Sequence, residues 1–344
     1  MNWESLDWSA LERLREQFLR GTQAGPYWTS PADLASYDFT YAERIGWKWD
    51  HVLRELRLRD WRPAARTVFD WGCGSGIAAR RVISFFGAEN FDSLTVWDHS
   101  PLACDFATDA AQRAFPALKV DQATPGFLAS KEPLGLLIIS HVITELSSDQ
   151  LAALIALVDR ADAVLWVEPG THAASREIGA IRGDLREDFH VVAPCTHDNT
   201  CPILMPGSER HWCHHFAPPP GEIFADSNWV KFGQRAGIDL RSLPYCFLAL
   251  DRRPVAPAPE GAARIIGRPE HFKPYARVLS CDASGLAELE LPKRADPALF
   301  KQLERTKAPL VYRWRRDGEK ILGGEPLAPP APSSSAALDS PAPN

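Results

Sequence analysis

Thr67-Val68-Phe69-Asp70-Trp71-Gly72-Cys73-Gly74-Ser75-Gly76 sets the architecture of this 344-residue chain, and a helix-like run from Ile77 to Phe86 follows it. A short apolar run ending in an acid, then three spaced glycines, then helical periodicity predicts strand, glycine loop and helix. The glycines let backbone approach a ligand closely. The helix N-terminus offers unpaired N–H groups and a positive dipole end to a carboxylate or phosphate. The spacing is Asp-x-Gly-x-Gly-x-Gly, not the Gly-x-Gly-x-x-Gly of dinucleotide binders. The acid before the loop, Asp70, suits an ammonium group.

Moving outward, Ser93 to Val96 reads as the next strand and ends in Trp97-Asp98-His99-Ser100. An acid at the end of a second strand is where doubly wound folds hold ribose hydroxyls. Asp70, Gly72, Gly74, Gly76 and Asp98 together resemble the class I S-adenosylmethionine-dependent methyltransferase family. That resemblance implies an α/β, Rossmann-like, seven-stranded sheet in which the glycine loop and Asp70 grip the methionine end and Asp98 grips the ribose. Leu134 to Ser140, Ala163 to Val167, His190 to Ala193 and Leu243 to Leu250 supply further strands, with a helix over Ser227 to Ala236. Asp121 lies where the fold often places an adenine contact. At the end of the fourth strand, where this fold faces the sulfonium and the acceptor, the sequence is His141-Val142-Ile143-Thr144-Glu145, with no Asn/Asp-Pro-Pro-Tyr/Phe clamp. His141 is the catalytic candidate there, as a base or an RNA contact; a polar lining residue without chemistry fits equally. Glu145 reads as a turn residue.

The flanks divide the chain. Residues 1–66 read as an N-terminal helical region whose tryptophans pack it onto the next domain, and 67–250 as the methyltransferase-like domain with a cysteine-rich insertion at 193–217. Residues 251–262 form a Pro/Ala linker, 263–322 a small C-terminal β unit, and 323–344 a disordered Pro/Ala/Ser tail. With 45% hydrophobic and 24% charged residues the composition is that of a soluble globular protein. No apolar run approaches the roughly 20 residues that span a bilayer, and the start of the chain lacks the pattern of a secretory signal. A cytoplasmic monomer without membrane contact is expected. The net charge of −6 argues against coating nucleic acid by charge alone, but residues 262–322 carry 13 Lys+Arg against 8 Asp+Glu. That excess could meet phosphates.

Seven cysteines in a chain without an export signal argue for free thiols or metal binding rather than disulfides. Cys73 and Cys104 read as small packing residues, and Cys246 as part of an apolar strand. Cys195, Cys201 and Cys213 stand in the insertion among His197, His211, His214 and His215. Thiolate and imidazole are donors for zinc and for iron–sulfur centres. Zinc ribbons bring ligands in close pairs, which this pattern lacks, whereas a four-iron four-sulfur cluster takes widely spaced thiolates. Cys281, after the strand Arg277 to Ser280 and before a tight turn, is the best fourth ligand.

A narrower resemblance then emerges. Glu168-Pro169-Gly170-Thr171 with Arg182, Ala193-Pro194-Cys195-x-His197-Asp198, Cys201-Pro202, Trp212-Cys213-His214-x-Phe216, and Gly267-Arg268-Pro269 leading to Cys281-x-x-x-Gly285 resemble the mitochondrial small-ribosomal-subunit methyltransferase-like family and its bacterial relatives. The resemblance covers roughly residues 35–320. It implies S-adenosylmethionine bound through Asp70, Gly72, Gly74, Gly76 and Asp98, and a 4Fe-4S cluster on Cys195, Cys201, Cys213 and Cys281. It also implies action on, or with, the small ribosomal subunit or its rRNA. The rival expectations are a non-catalytic ribosome assembly or RNA-binding factor that keeps the fold, and a zinc-stapled small-molecule methyltransferase. Two departures stand beside the match: Thr196 replaces a common proline, and the last segment is short, with fewer basic residues than the resemblance leads one to expect.

Overall fold

The computed structural model describes residues 1–20, 27–305 and 310–327. Three helices lead in: α1 (Trp8–Arg20), α2 (Pro31–Tyr37) and α3 (Glu43–Leu58), the last two joined by a wide π turn over Asp38–Ala42. An alternating series follows. It runs β1 (Thr67–Trp71), α4 (Ile77–Phe86), β2 (Ser93–Trp97), α5 (Pro101–Ala114), β3 (Lys119–Gln122), α6 (Pro125–Ala129), β4 (Gly135–Ser140), α7 (Ser148–Val158), β5 (Ala161–Pro169), α8 (His172–Leu185) and β6 (His190–Ala193). The sheet is completed by β7 (His215–Ala217) and β8 (Leu243–Asp251), with α9 (Ser227–Ala236) between them.

The strand order is β3-β2-β1-β4-β5-β8-β6, with β7 paired to β8. Strands β1 to β5 are parallel, while β8 runs antiparallel between β5 and β6. This is the class I methyltransferase sheet, with one strand more than expected. The eighth strand, β7, lies at the end of the cysteine-rich insertion, where no strand is expected from the sequence; its pairing to Leu243–Tyr245 makes it one. Strands β1, β4 and β5 are apolar because both their faces are covered. Val82, Ile83, Leu94 and Leu136 pack on the side of α3 and α4, and Phe69, Leu137, Leu154 and Trp166 on the side of α7 and α8. Trp47 and Trp49 of α3, and Trp28 ahead of α2, are buried.

A second sheet closes into a barrel from β9 (Ala262–His271), β10 (Tyr275–Asp282), β11 (Gly285–Pro292), β12 (Val311–Asp317) and β13 (Lys320–Pro326), with α10 (Pro297–Leu303) between β11 and β12. Val278, Leu289, Leu291, Phe300, Tyr312 and Ile321 fill it. Strand β13 places Gly323–Pro326 in the barrel rather than in the tail expected from residue 323. The physical reason is a close approach: a Cβ on Gly324 would stand 2.6 Å from the Trp314 ring, so the glycines that read as loop are what let this strand pair. Most of the expected tail, residues 328–344, lies outside the described residues.

Candidate functional site

The order of β1 reverses direction toward β2 on one side and β4 on the other, and ligands of such sheets bind outside the carboxyl ends of the strands at that point. A cavity of about 1140 Å³ opens there. Its floor is the glycine loop. The amides of Gly72 and Cys73 both donate to the Trp97 carbonyl, at 2.8 and 2.9 Å, which draws the end of β2 against the loop. The Gly74 amide donates to Asp98 Oδ2 at 3.0 Å, and the Ser100 amide to Oδ1 at 2.9 Å. Burial raises the Asp98 pKa against these two bonds. The carboxylate keeps lone pairs for a pair of hydroxyl donors.

The predicted residues divide into two groups. Gly72, Gly74, Asp98 and His141 line the cavity. Gly72 has φ of 70° and a Cβ there would meet Val142 Cγ1 at 2.6 Å, so the backbone comes this close only because the residue is glycine. Gly76 instead caps α4 behind the wall, against Ala107. Asp70 is fully buried beneath the loop, and neither carboxylate oxygen has a hydrogen-bond partner among the described residues. Burial pushes its pKa up to about 7. It sits under the ligand floor, not on it. Asp121 is exposed on the surface, 2.8 Å from Lys119 Nζ.

Several cavity residues carried no signal as site residues in the sequence. Lys48, on α3, is 3.0 Å from His141 Nε2. Burial, reinforced by Arg44, lowers the Lys48 pKa to about 7. Burial and then Lys48 hold His141 neutral, well below its ordinary range. His141 Nδ1 stands 3.3 Å from Ser140 Oγ, which accepts from Trp49 Nε1 at 2.9 Å. The imidazole is therefore oriented from both sides, and its backbone takes a φ of 58°. Glu145, on a short 3-10 turn over Ile143–Glu145, also lines the cavity; burial, with Asp98 and Glu168 nearby, raises its pKa to about 7. Beneath them Glu168 Oε1 accepts from the amides of Val142 and Ile143, each at 3.1 Å, and from Trp166 Nε1 at 2.7 Å. Its other oxygen is buried without a partner among the described residues, and burial raises its pKa to about 7. Tyr27, Tyr37 and Tyr41 complete the wall with aromatic surface.

The four cysteines form a separate junction. The insertion that carries three of them has little regular structure and is held by side chains of α8. Arg176 donates to the Ile203 carbonyl at 2.7 Å, Arg182 to those of His197 and Asn199 at 2.8 and 3.0 Å, and Ser175 Oγ to that of Cys213 at 2.6 Å. Cys281 arrives from the end of β10. Burial raises the pKa of Cys213 well above a normal thiol, and the charges of Cys195, Cys281 and Cys201 add to it. Cys281 is pushed up to about 12 by burial, then by Cys195 and Cys201. Cys201, Cys213 and Cys281 thus each feel the charge of Cys195. His215 Nε2 is 3.9 Å from Cys213 Sγ, and His197 Nε2 is 3.7 Å from Cys281 Sγ. Arg264, buried on β9, lowers the pKa of Cys213 and Cys281 and ion-pairs with Glu55 of α3. Among the described residues, no group of three or more His, Cys, Asp or Glu side chains is arranged to hold a single metal ion.

Among the described residues, no helix is long and apolar enough to cross a membrane. The family model described as "Mitochondrial small ribosomal subunit Rsm22" matches residues 49–307. Two curated relatives, Rsm22-cox11 tandem proteins 1 and 2, mitochondrial, of Schizosaccharomyces pombe, are each 28% identical over 214 residues. That match covers 54% of this chain but only 28% of the length of each relative. Among solved structures, the chain is similar to magnesium protoporphyrin IX methyltransferase from Synechocystis, with 14% identity, 71% of this chain and 97% of the other covered, and a TM-score of 0.39. A SAM dependent methyltransferase from Aquifex aeolicus matches with 16% identity, 48% and 90% coverage, and a TM-score of 0.35.

Proposed function

This chain belongs to the Rsm22 family, and from that premise we propose that it binds S-adenosylmethionine in the glycine-loop cavity and works on the RNA of a small ribosomal subunit. The observation that supports this most is one cavity lined both by Gly72, Gly74 and Asp98 and by the Lys48–His141 pair. Asp98 would accept from the ribose hydroxyls, and the first amides of α4 with Arg44 would face the carboxylate. The sulfonium supplies an activated methyl group. Tyr27, Tyr37 and Glu145 offer aromatic faces and a carboxylate to its positive charge.

Transfer would be a direct displacement in which the acceptor's lone pair takes the methyl group and the C–S electron pair stays on sulfur. The acceptor's proton needs a destination. Lys48, with a pKa near neutrality, takes it as the free amine and passes its charge into the hydrogen bond with His141 Nε2. Glu168 would hold the end of β4 from below through the amides of Val142 and Ile143. Calorimetry with S-adenosylmethionine, followed by transfer of a labelled methyl group to purified small subunits, tests this. Binding without transfer would leave the second reading, a non-catalytic assembly factor, which the missing Asn/Asp-Pro-Pro-Tyr/Phe clamp at His141–Glu145 favours.

We further propose that Cys195, Cys201, Cys213 and Cys281 hold a 4Fe-4S cluster. Half-buried thiolates that feel one another's charge are stabilised by a cationic centre between them. Zinc ribbons bring their ligands in close pairs, which the spacing of Cys195, Cys201 and Cys213 lacks, whereas a 4Fe-4S cluster takes four widely spaced thiolates. The cluster would clamp the insertion to the barrel. Iron and sulfide analysis of anaerobically purified protein is the check: a colourless, zinc-loaded protein restores the zinc-stapled alternative.

A further inference from the structure

We propose that the C-terminal barrel is an oligonucleotide-binding module that takes single-stranded RNA at the end formed by the β9–β10 loop. Topology supplies the class. Counting from β9, the five strands close in the order one-two-three-five-four; the third and fifth, β11 and β13, pair in parallel, and α10 lies between the third and fourth. That is the arrangement of the OB barrel, whose ligands are oligonucleotides and oligosaccharides bound on strands two and three and on the one-two and four-five loops. Here the two loops are residues 272–274 and 318–319. They meet at one end of β11: the Lys293 amide donates to the Pro274 carbonyl and the Glu290 amide to the Glu319 carbonyl, both at 2.9 Å.

The side chains at that end choose between the two ligand classes. Phe272 is 41% exposed and stacks on Tyr275, with ring centroids 4.8 Å apart and planes 25° from parallel. An exposed ring presented flat is a platform for a base. The Arg277 guanidinium lies 5.4 Å from the Phe272 centroid, and Lys273, Lys293, Arg294 and Lys320 are exposed around it. Glu270, 3.5 Å from Arg277, together with Glu290, Asp317 and Glu319, offsets four of these five charges. Cations around a part-exposed aromatic ring fit a stacked, polyanionic strand better than a neutral sugar.

The rest of the sheet face is closed to phosphates. Glu288 is held 2.8 Å from Arg210 of the insertion, and Glu270 lies 3.5 Å from Arg277. The far end of β10 is anchored through Cys281 beside the cysteine junction and through Asn199 Nδ2, which donates to the Ala283 carbonyl at 2.9 Å. At about 3.4 Å per residue, Tyr275 stands roughly 20 Å from that anchor. The loop end is the free end. This deepens the proposed ribosomal-RNA role by naming the surface that meets the strand.

The test is fluorescence anisotropy of the full chain with a labelled oligouridylate of about 10 nucleotides. We expect binding that weakens as salt rises, a loss of at least about fivefold in Phe272→Ala, and in Lys273→Glu/Arg294→Glu both weaker binding and a shallower salt slope. Melting temperature and S-adenosylmethionine calorimetry should not move in either variant. Failure of the parent chain to bind, or variants that bind like it, overturns the assignment, as does a photocrosslinker at Phe272 that captures ribosomal protein and no RNA. Oligonucleotide binding that depends on these residues, without co-sedimentation with small subunits, keeps the surface and removes the ribosomal role.

Discussion

The hydrogen bonds that shape the glycine loop run between residues 72 and 98, whereas the four cysteines come from the end of β6, an irregular insertion and a strand of a different barrel. The glycine loop and its bond to Asp98 are in place as soon as β1 and β2 pair. The second exists only when the barrel has docked, with Gly267 donating to the His214 carbonyl at 2.8 Å and Arg264 inserted against Glu55. A locally built site should survive damage to the distant one. A site assembled across the chain should take the docking of the barrel with it.

The sharpest break of that contrast is Cys213→Ser. Iron should fall from about four atoms per chain to near background, and with it the whole metal-linked part of the stability. Cofactor affinity measured by calorimetry should stay put; parallel loss of both would show that the sites fold as one. Next is Lys48→Met, for which methyl transfer should drop about 100- to 10 000-fold while cofactor affinity and iron content hold, as expected for a lost proton acceptor. A pH–rate profile that kept its inflection near 7 in this variant would take the proton away from Lys48. Asp98→Asn should weaken S-adenosylmethionine about 10- to 100-fold, the worth of one or two charge-assisted hydrogen bonds, and leave the iron signal intact.

The smallest effect sharpens the comparison through pH. The Asp70 pKa is raised to about 7 in the folded chain from an ordinary value of 3.8. A raised acid contributes stability that is complete below the ordinary value and is lost as pH climbs through the folded one. Asp70→Asn should therefore melt several degrees above the parent at pH 8, with the gap closing toward pH 4. Thermal scans across that range measure it, and a gap independent of pH would mean that the carboxylate is paired.

Legibility in the sequence followed the same division. The glycine loop and Asp98 were readable because each is defined by its neighbours along the chain. Lys48 was not: between Trp47 and Trp49 it reads as one more charge on an amphipathic helix, and only the docking of α3 over β4 buries it. Glu145 read as a turn residue because nothing local shows that its turn faces inward. The cysteines could be grouped by residue type, but Arg264 and Glu55, 209 residues apart, are joined only by tertiary packing. Helix α10 begins at Pro297 behind Asp296, whose side chain accepts from the Leu299 amide, a local cap signal that was available in Asp-Pro. Strand β13 was invisible because its glycines obey the Trp314 ring beside them and not strand propensity.

That last strand fixes how far the protein can be shortened. Among the described residues, strand β13 is the partner of β12 on that side and the parallel neighbour that joins it to β11. The Leu327 amide still donates to the Val311 carbonyl, at 3.0 Å. A chain ended after Leu327 keeps a closed cylinder. One ended at Leu322, where the sequence turns to glycine and proline, leaves β12 with a raw edge, and unpaired edges recruit other chains.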